Sequence, residues 1–315
     1  MQASTSTILK SFLPGATKVG FIGTGVMGKS IATNLFNKGY KDLIVYSRTK
    51  SKAESLIELG AKFVNSPKEV GANSDVVISI VGYPSDVKSV ILDEENGVLA
   101  GMNPGGVIID MTTSEPSLAV EIFKQAQKKG VYSLDAPCSG GDIGARNATL
   151  TIFVGGEKQV LESVRPIFES IGKTINFMGE SGKGQHAKMA NQVIIASSMI
   201  GVVEGLMYAH KAGLDVYQTL QAVSGGAANS FSLTAYGPRI LRRDFEPGFY
   251  VEHFIKDMEI VLSECNKMQL VLPGLNLAKM LYDSLRNNGG AKNGTQALML
   301  ALEQLNNVKL PKYDI

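Results

Sequence analysis

Cysteine, net charge and long apolar runs are all scarce in this sequence. Two cysteines in 315 residues, Cys138 and Cys265, are too few and too far apart for a disulfide framework or a thiolate metal cluster. A reducing compartment is therefore expected, the cytoplasm first, with a mitochondrion or plastid left open. Lysine and arginine number 31 against 29 aspartates and glutamates, a formal charge of +2 at pH 7. These charges are spread along the chain, so there is no basic stripe to announce a nucleic-acid partner. The longest apolar run, Val193 to Val203, closes at Glu204 and falls short of the ~20 residues that span a bilayer. A buried helix is expected there, and no membrane partner. There is no internal repeat and no low-complexity segment. What is present is 44% hydrophobic residues, enough for two domains with a sizeable core. Small molecules are the expected partners.

Met1 to Thr17 is rich in Ser and Thr and has neither acidic residues nor arginine. A disordered tail or the remnant of a leader is expected over residues 1–17. From Lys18 onward short β-branched runs alternate with longer helical patterns. Val19 to Ile22, Leu43 to Tyr46, Val76 to Ile80, Val107 to Asp110 and Val131 to Leu134 read as buried parallel strands. Lys29 to Asn37, Lys50 to Leu59 and Leu118 to Lys129 read as the crossover helices between them. Two further strands, Leu150 to Val154 and Thr174 to Phe177, flank a helix beginning near Glu157. After Gly184 the texture changes. Gln185 to Lys211 is apolar around most of its circumference and stops at Gly213, which suits one long helix, and only helices and loops follow. The expected fold is α/β: an N-terminal Rossmann doubly wound parallel sheet over residues 18–183, then an all-α C-terminal domain over 184–315, joined by a long interdomain helix.

The run GFIGTGVMG follows an apolar strand and opens a helix, the context in which GxGxxG becomes informative. Gly23 permits the tight turn, Gly25 lets backbone approach a pyrophosphate, and Gly28 allows helix to pack on strand; Thr24, Val26 and Met27 complete the turn. An NAD site would place a carboxylate for the adenosine ribose at the end of the second strand. This chain has Ser47, Arg48 and Thr49 there, with Lys50 and Lys52 beyond. An arginine fork suits a 2′-phosphate, so the expected cofactor is NADP(H). A solvated basic helix start is the competing reading. Val81, Gly82 and Tyr83 follow one strand and Thr112 and Thr113 another, at the sheet edge where doubly wound folds bind ligands. The threonines contact the nicotinamide half or merely cap the next helix.

Four motifs in order make the chain resemble the β-hydroxyacid dehydrogenase family, in its 3-hydroxyisobutyrate dehydrogenase-like and glyoxylate/succinic semialdehyde reductase branch. They are GFIGTGVMG, DAPCSGGDIGARNATLTIFVGG, GKGQHAKMANQ and HFIKDM, and the resemblance covers nearly everything after Thr17. It implies that Ser139, Gly140 and Gly141 hold a substrate carboxylate, as a hydroxyl and backbone amides in a glycine turn are able to do. Cys138, where the family more often has a small aliphatic residue, is expected to pack rather than react. Lys188 corresponds to the family's essential lysine, a general acid/base for the substrate oxygen, with burial and Lys256 expected to lower its pKa. Asn191 and Gln192 lie at i+3 and i+4 from it and are implied substrate contacts. The family often has two asparagines there, so either amide could orient Lys188 or the substrate. His186 points elsewhere on the helix and is expected to be structural. Lys256 and Asp257 are implied cofactor residues. Phe231, Phe249 and Phe254 are wall candidates for a substrate pocket, though aromatics in a helical domain usually pack in its core. Residues 224–229 could form a gating loop or a plain connection.

The resemblance implies reduction of a small carboxylate-bearing aldehyde, glyoxylate or succinic semialdehyde in type, in a homodimer or homotetramer built through the helical domain. A 3-hydroxyisobutyrate dehydrogenase shares the same groups and is the near alternative. A non-catalytic NADP-binding scaffold is the alternative of another class, against which Lys188, Ser139 and Lys256 all count.

Overall fold

A computed structural model describes residues 10–315, in two compact units divided between Lys188 and Met189. In the first unit the strands are β1 (Val19–Ile22), β2 (Leu43–Tyr46), β3 (Lys62–Phe63), β4 (Val76–Ser79), β5 (Val107–Asp110), β6 (Tyr132–Asp135), β7 (Cys138–Ser139), β8 (Leu150–Gly156) and β9 (Gly172–Gly179). Helices α1 (Val26–Asn37), α2 (Glu54–Leu59), α3 (Pro67–Ala72), α4 (Pro84–Leu92), α5 (Val98–Gly101), α6 (Pro116–Lys128), α7 (Gly141–Arg146) and α8 (Lys158–Glu169) connect them. The sheet runs β3-β2-β1-β4-β5-β6-β8-β7, with β9 on β8. β1, β4 and β5 are buried at every position. Their unbroken Val/Ile character follows from having helices on both faces, since a strand covered twice has no polar side to alternate.

The sheet is not wholly parallel. β1 to β6 are parallel, but β8 runs antiparallel to β6 and β7, and β9 parallels β8. Residues 140–149 hold only the short α7, too little chain for a crossover between parallel neighbours, so β8 returns in the opposite direction. The expected helix over Lys50 to Leu59 opens as a 3₁₀ turn, Lys50–Ala53, before α2.

Residues 1–9 lie outside the described residues, so the expectation of a tail or leader is open there. Residues 12–17 depart from it. Phe12 is buried, its amide donates to the Ser163 carbonyl at 2.9 Å, and its carbonyl accepts from Tyr40 Oη at 3.1 Å. An aromatic ring is enough to hold this segment against the core.

The long helix α9 (Lys183–Lys211) begins in the first unit and continues in the second. At 29 residues it exceeds the expected apolar run and, alone among the described residues, is long and apolar enough to cross a membrane. Met189, Ala196, Met199, Ile200, Val203 and Leu206 along it nevertheless lie in the second unit's core, as befits a core helix. That unit continues with α10 (Val216–Ser224), α11 (Gly237–Leu241), α12 (Val251–Met268), α13 (Pro273–Asn287) and α14 (Leu298–Asn306). Phe254 and Tyr282, both fully buried, meet edge to face at 5.1 Å in its centre.

Candidate active site

The glycine turn has the geometry that its three positions demand. Gly23 has φ +97°, and a Cβ there would sit 2.1 Å from the Ile80 carbonyl oxygen. A Cβ on Gly28 would lie 1.9 Å from the Gly23 carbonyl oxygen, so α1 packs against the turn only because that carbon is missing. Gly25 caps α1 and faces open space, with nothing within 4 Å of its would-be Cβ. Beside it Thr24 is buried, and its hydroxyl has no partner among the described residues. A helix N-terminus, an open backbone approach and an unpaired buried hydroxyl fit a dinucleotide pyrophosphate. Val26 is exposed and Met27 half-buried in the same first turn.

Ser47 is half-buried, and Arg48 and Thr49 are exposed past the end of β2. Arg48 Nη1 lies 3.2 Å from Asp86 Oδ1, while Asp86 Oδ2 accepts the Tyr83 amide at 3.2 Å and so caps α4. Asp86 escaped sequence reasoning. Its signal was an acid three residues after Tyr83 at the head of a helix opened by Pro84. Val81 and Gly82 are half-buried and Tyr83 is 40% exposed.

The two threonines after β5 separate cleanly. Thr112 is buried; its amide donates to Asp110 Oδ1 at 3.1 Å and its hydroxyl accepts the Val81 amide at 3.0 Å. It braces two loops. Thr113, half-buried, keeps the candidate role.

Ser139 ends β7 half-buried, and Gly140 and Gly141 follow with φ of +127° and +61°, which turns the chain sharply into α7. Cys138 is buried on β7, opposite Ile152, and burial pushes its thiol up to about 11 against the opposing pull of the Lys188 charge. It is a neutral packing group at physiological pH. Lys188 is 7% exposed.

The first turn of α9 is tied down by groups that sequence reasoning did not reach. Asp135, at the end of β6, accepts the amides of Gly182 and Gln185 at 2.8 and 2.9 Å. Burial raises its pKa to about 6, with the Asp110 charge adding to the rise and the two amides opposing it. The Gln185 side chain pairs with the backbone of Thr112 and Ser114. The signal for both was position alone: an acid closing a strand, and an amide between glycines at a helix start.

In the second unit Asn191, Gln192, Asp257 and Lys256 form one chain. Asn191 Nδ2 donates to Gln192 Oε1 at 2.8 Å, Gln192 Nε2 to Asp257 Oδ2 at 2.6 Å, and Lys256 Nζ stands 2.8 Å from Asp257 Oδ1 as an ion pair. Gln192 is buried, with its carbonyl and one amide hydrogen engaged. Asn191 is half-buried. His186 is half-buried. Phe254 is core, Phe249 packs on it at 5.7 Å, and Phe231 is 68% exposed. Residues 225–229 form a short turn after α10.

Comparison with known proteins adds an independent line. The NAD binding domain of 6-phosphogluconate dehydrogenase matches residues 18–179, and the NAD-binding domain of NADP-dependent 3-hydroxyisobutyrate dehydrogenase matches residues 182–302. A probable 3-hydroxyisobutyrate dehydrogenase-like protein 1, mitochondrial, of Arabidopsis thaliana is 56% identical over 99% of this chain and 93% of its own. The 2-hydroxy-3-oxopropionate reductase of Escherichia coli K12 is 38% identical over 93% of this chain and 99% of its own. A solved Mycobacterium tuberculosis 3-hydroxyisobutyrate dehydrogenase with L-serine is 28% identical, with a TM-score of 0.83 over 91% of this chain and 99% of that one. Together with the nucleotide turn and the buried lysine, these likenesses make the chain a member of the β-hydroxyacid dehydrogenase family, an NAD(P)-dependent oxidoreductase.

Proposed function

We propose that the protein is an NADP(H)-dependent enzyme that interconverts a small carboxylate-bearing aldehyde and its hydroxy acid, with Lys188 as the catalytic acid/base. The observation that carries this reading is a lysine only 7% exposed, three residues after Gln185, whose side chain is bonded to the loop after β5, in the unit that holds the glycine turn. Gly23, Thr24, Gly25, Val26, Met27 and Gly28 would hold the pyrophosphate, Ser47, Arg48 and Thr49 the 2′-phosphate, and Val81, Gly82, Tyr83 and Thr113 the nicotinamide half; in the helical unit, Lys256 and Asp257 are the residues the family resemblance assigns to the cofactor. When bound, the cofactor supplies or accepts the hydride. The Ser139 hydroxyl and the amides of Gly140 and Gly141 grip the substrate carboxylate. The Lys188 ammonium donates its proton to the carbonyl oxygen as that oxygen gains charge; in the opposite direction the neutral amine removes the hydroxyl proton.

Arg48 supports NADP(H) over NAD(H), since a guanidinium offers parallel donors to a phosphate and nothing to a bare ribose that a carboxylate would not do better. Two substrate types remain in the class. The name of the 38% identical relative favours a carboxylate-bearing aldehyde, the broader type to which glyoxylate and succinic semialdehyde belong. That of the 56% identical relative favours 3-hydroxyisobutyrate as a second reading. That relative's mitochondrial designation makes an organelle the first compartment to test, and the two buried free cysteines suit any reducing one. A homo-oligomer through the helical unit is also part of the proposal. Ala190, Ile194, Ser197, Gly201, Gly205 and Tyr208 recur every three to four residues along α9 and are all exposed, a small and apolar stripe suited to a second copy. Light scattering should give twice or four times the chain mass.

Steady-state assays test the activity: NADPH and NADH with glyoxylate, succinic semialdehyde and 2-hydroxy-3-oxopropionate, and NADP+ with 3-hydroxyisobutyrate. Turnover with NADPH in this set is expected. Tight NADPH binding with no turnover of any of them would mark a non-catalytic scaffold instead.

A further inference from the structure

Gln185 is fully buried, and both ends of its side-chain amide are engaged in the same unit. Oε1 accepts the Ser114 amide at 3.0 Å and Nε2 donates to the Thr112 carbonyl at 2.7 Å. The amide therefore pairs with residues i and i+2 of the loop after β5 as a neighbouring strand would, one donor and one acceptor in register. Only a primary amide of this length does both. Asparagine is shorter by one carbon, about 1.5 Å; glutamate would turn an acceptor toward the Thr112 carbonyl and bury a charge.

That loop is braced in turn. Thr112 receives the Val81 amide on its hydroxyl and gives its own amide to Asp110, which also accepts from Ser79 Oγ at 2.9 Å. On the other side Asp135 takes the Gly182 and Gln185 amides. A Cβ on Gly184 would meet the carbonyl oxygens of Asp135 and Phe153 at 2.5 Å, so the first turn of α9 presses directly on the strand ends. Lys188 follows Gln185 by three residues, about 4.5 Å up the same helix and roughly 60° around it. A helix is stiff over one turn, so whatever moves Gln185 moves the backbone of Lys188.

We propose that Gln185 is a positioning residue for Lys188: its amide latches the first turn of α9 to the loop after β5, and through Thr112 to Val81, setting the lysine's depth relative to the cofactor-facing edge of the sheet. The inference rests on the reading of Lys188 as the acid/base.

The test uses Gln185→Met, which fills nearly the same volume without polar atoms, and Gln185→Asn, a milder variant should the first not fold. Hydrogen exchange followed by mass spectrometry on the cofactor-free proteins reads the latch directly. Peptides over residues 111–118 and 182–190 should exchange about 10-fold faster or more, while peptides over β1 and β4 stay as in the parent. In turnover, kcat should fall about 10- to 100-fold with KM for NADPH changed less than about 3-fold. The deuterium isotope effect on kcat with C4-labelled NADPH should rise as the chemical step becomes limiting. Unchanged exchange in a folded variant overturns the latch. Faster exchange with kcat within about 2-fold of the parent overturns its role in positioning. A parent with no turnover at all defeats the functional reading instead, and the exchange arm then decides the latch alone.

Discussion

Arg48 Nη1 stands 3.2 Å from Asp86 Oδ1, linking the residues past β2 to the first turn of α4. With Arg48 85% exposed, the pair contributes little to stability, and it holds the guanidinium without using up its five donors. Arg48→Ala should therefore leave the melting temperature unchanged. It should lower kcat/KM for NADPH about 10- to 100-fold, the worth of a charge-assisted hydrogen bond, and change that for NADH less than about 3-fold. Steady-state ratios with the two cofactors decide this, and an unchanged ratio would place recognition of the 2′-phosphate on other residues.

The three glycines of the turn are separable by the space around them. Gly28→Ala pushes a methyl against the Gly23 carbonyl and should cost about 1–3 kcal/mol, a loss of several degrees in melting temperature. Gly25→Ala meets no atom and keeps an ordinary φ of −72°, so the protein should melt as the parent does. Its dinucleotide affinity should nonetheless fall about 10-fold or more, because the methyl occupies the backbone approach to the pyrophosphate. Calorimetric titration alongside thermal melts checks both halves. Equal melting losses in the two variants would contradict the division of roles.

Asp135 sets a pH dependence of stability. Its folded pKa of about 6 lies above the ordinary value of 3.8, so the folded state holds the proton more tightly than the unfolded chain does. The resulting stabilisation is complete below about pH 4 and is lost as the pH rises through about 6, a swing of about 3 kcal/mol. Asp135→Asn removes that swing. Relative to the parent the variant should gain up to about 3 kcal/mol between pH 4 and pH 7 in denaturant unfolding, whatever its offset from the lost capping bond. Parallel pH profiles for the two proteins would contradict the assignment.

Much of the nucleotide unit was legible beforehand because its signals are local. Val19–Ile22, Leu43–Tyr46 and Val107–Asp110 have the limits that their β-branched runs suggest, and the needs at Gly23 and Gly28 are steric demands of one turn. The two-residue strands β3 and β7 were invisible, since no periodicity fits in so short a stretch. Candidate residues such as Lys188 are named by a local motif, whereas contacts that span the fold were illegible. Gln185 finds its partners 71 and 73 residues away, and Gln192 finds Asp257 at a separation of 65. Nothing in the local pattern tells such an amide from one that faces water. For Gln192, that long-range bond ties α9 to α12.

The central claim is that Lys188 moves the proton. The measurement that bears on it most directly is kcat for Lys188→Ala, set beside its NADPH dissociation constant from fluorescence titration. Loss of a positioned acid/base should lower kcat by about 100- to 10,000-fold while the dissociation constant stays within about 3-fold of the parent. A variant that binds NADPH normally and retains kcat within about 3-fold would contradict the account.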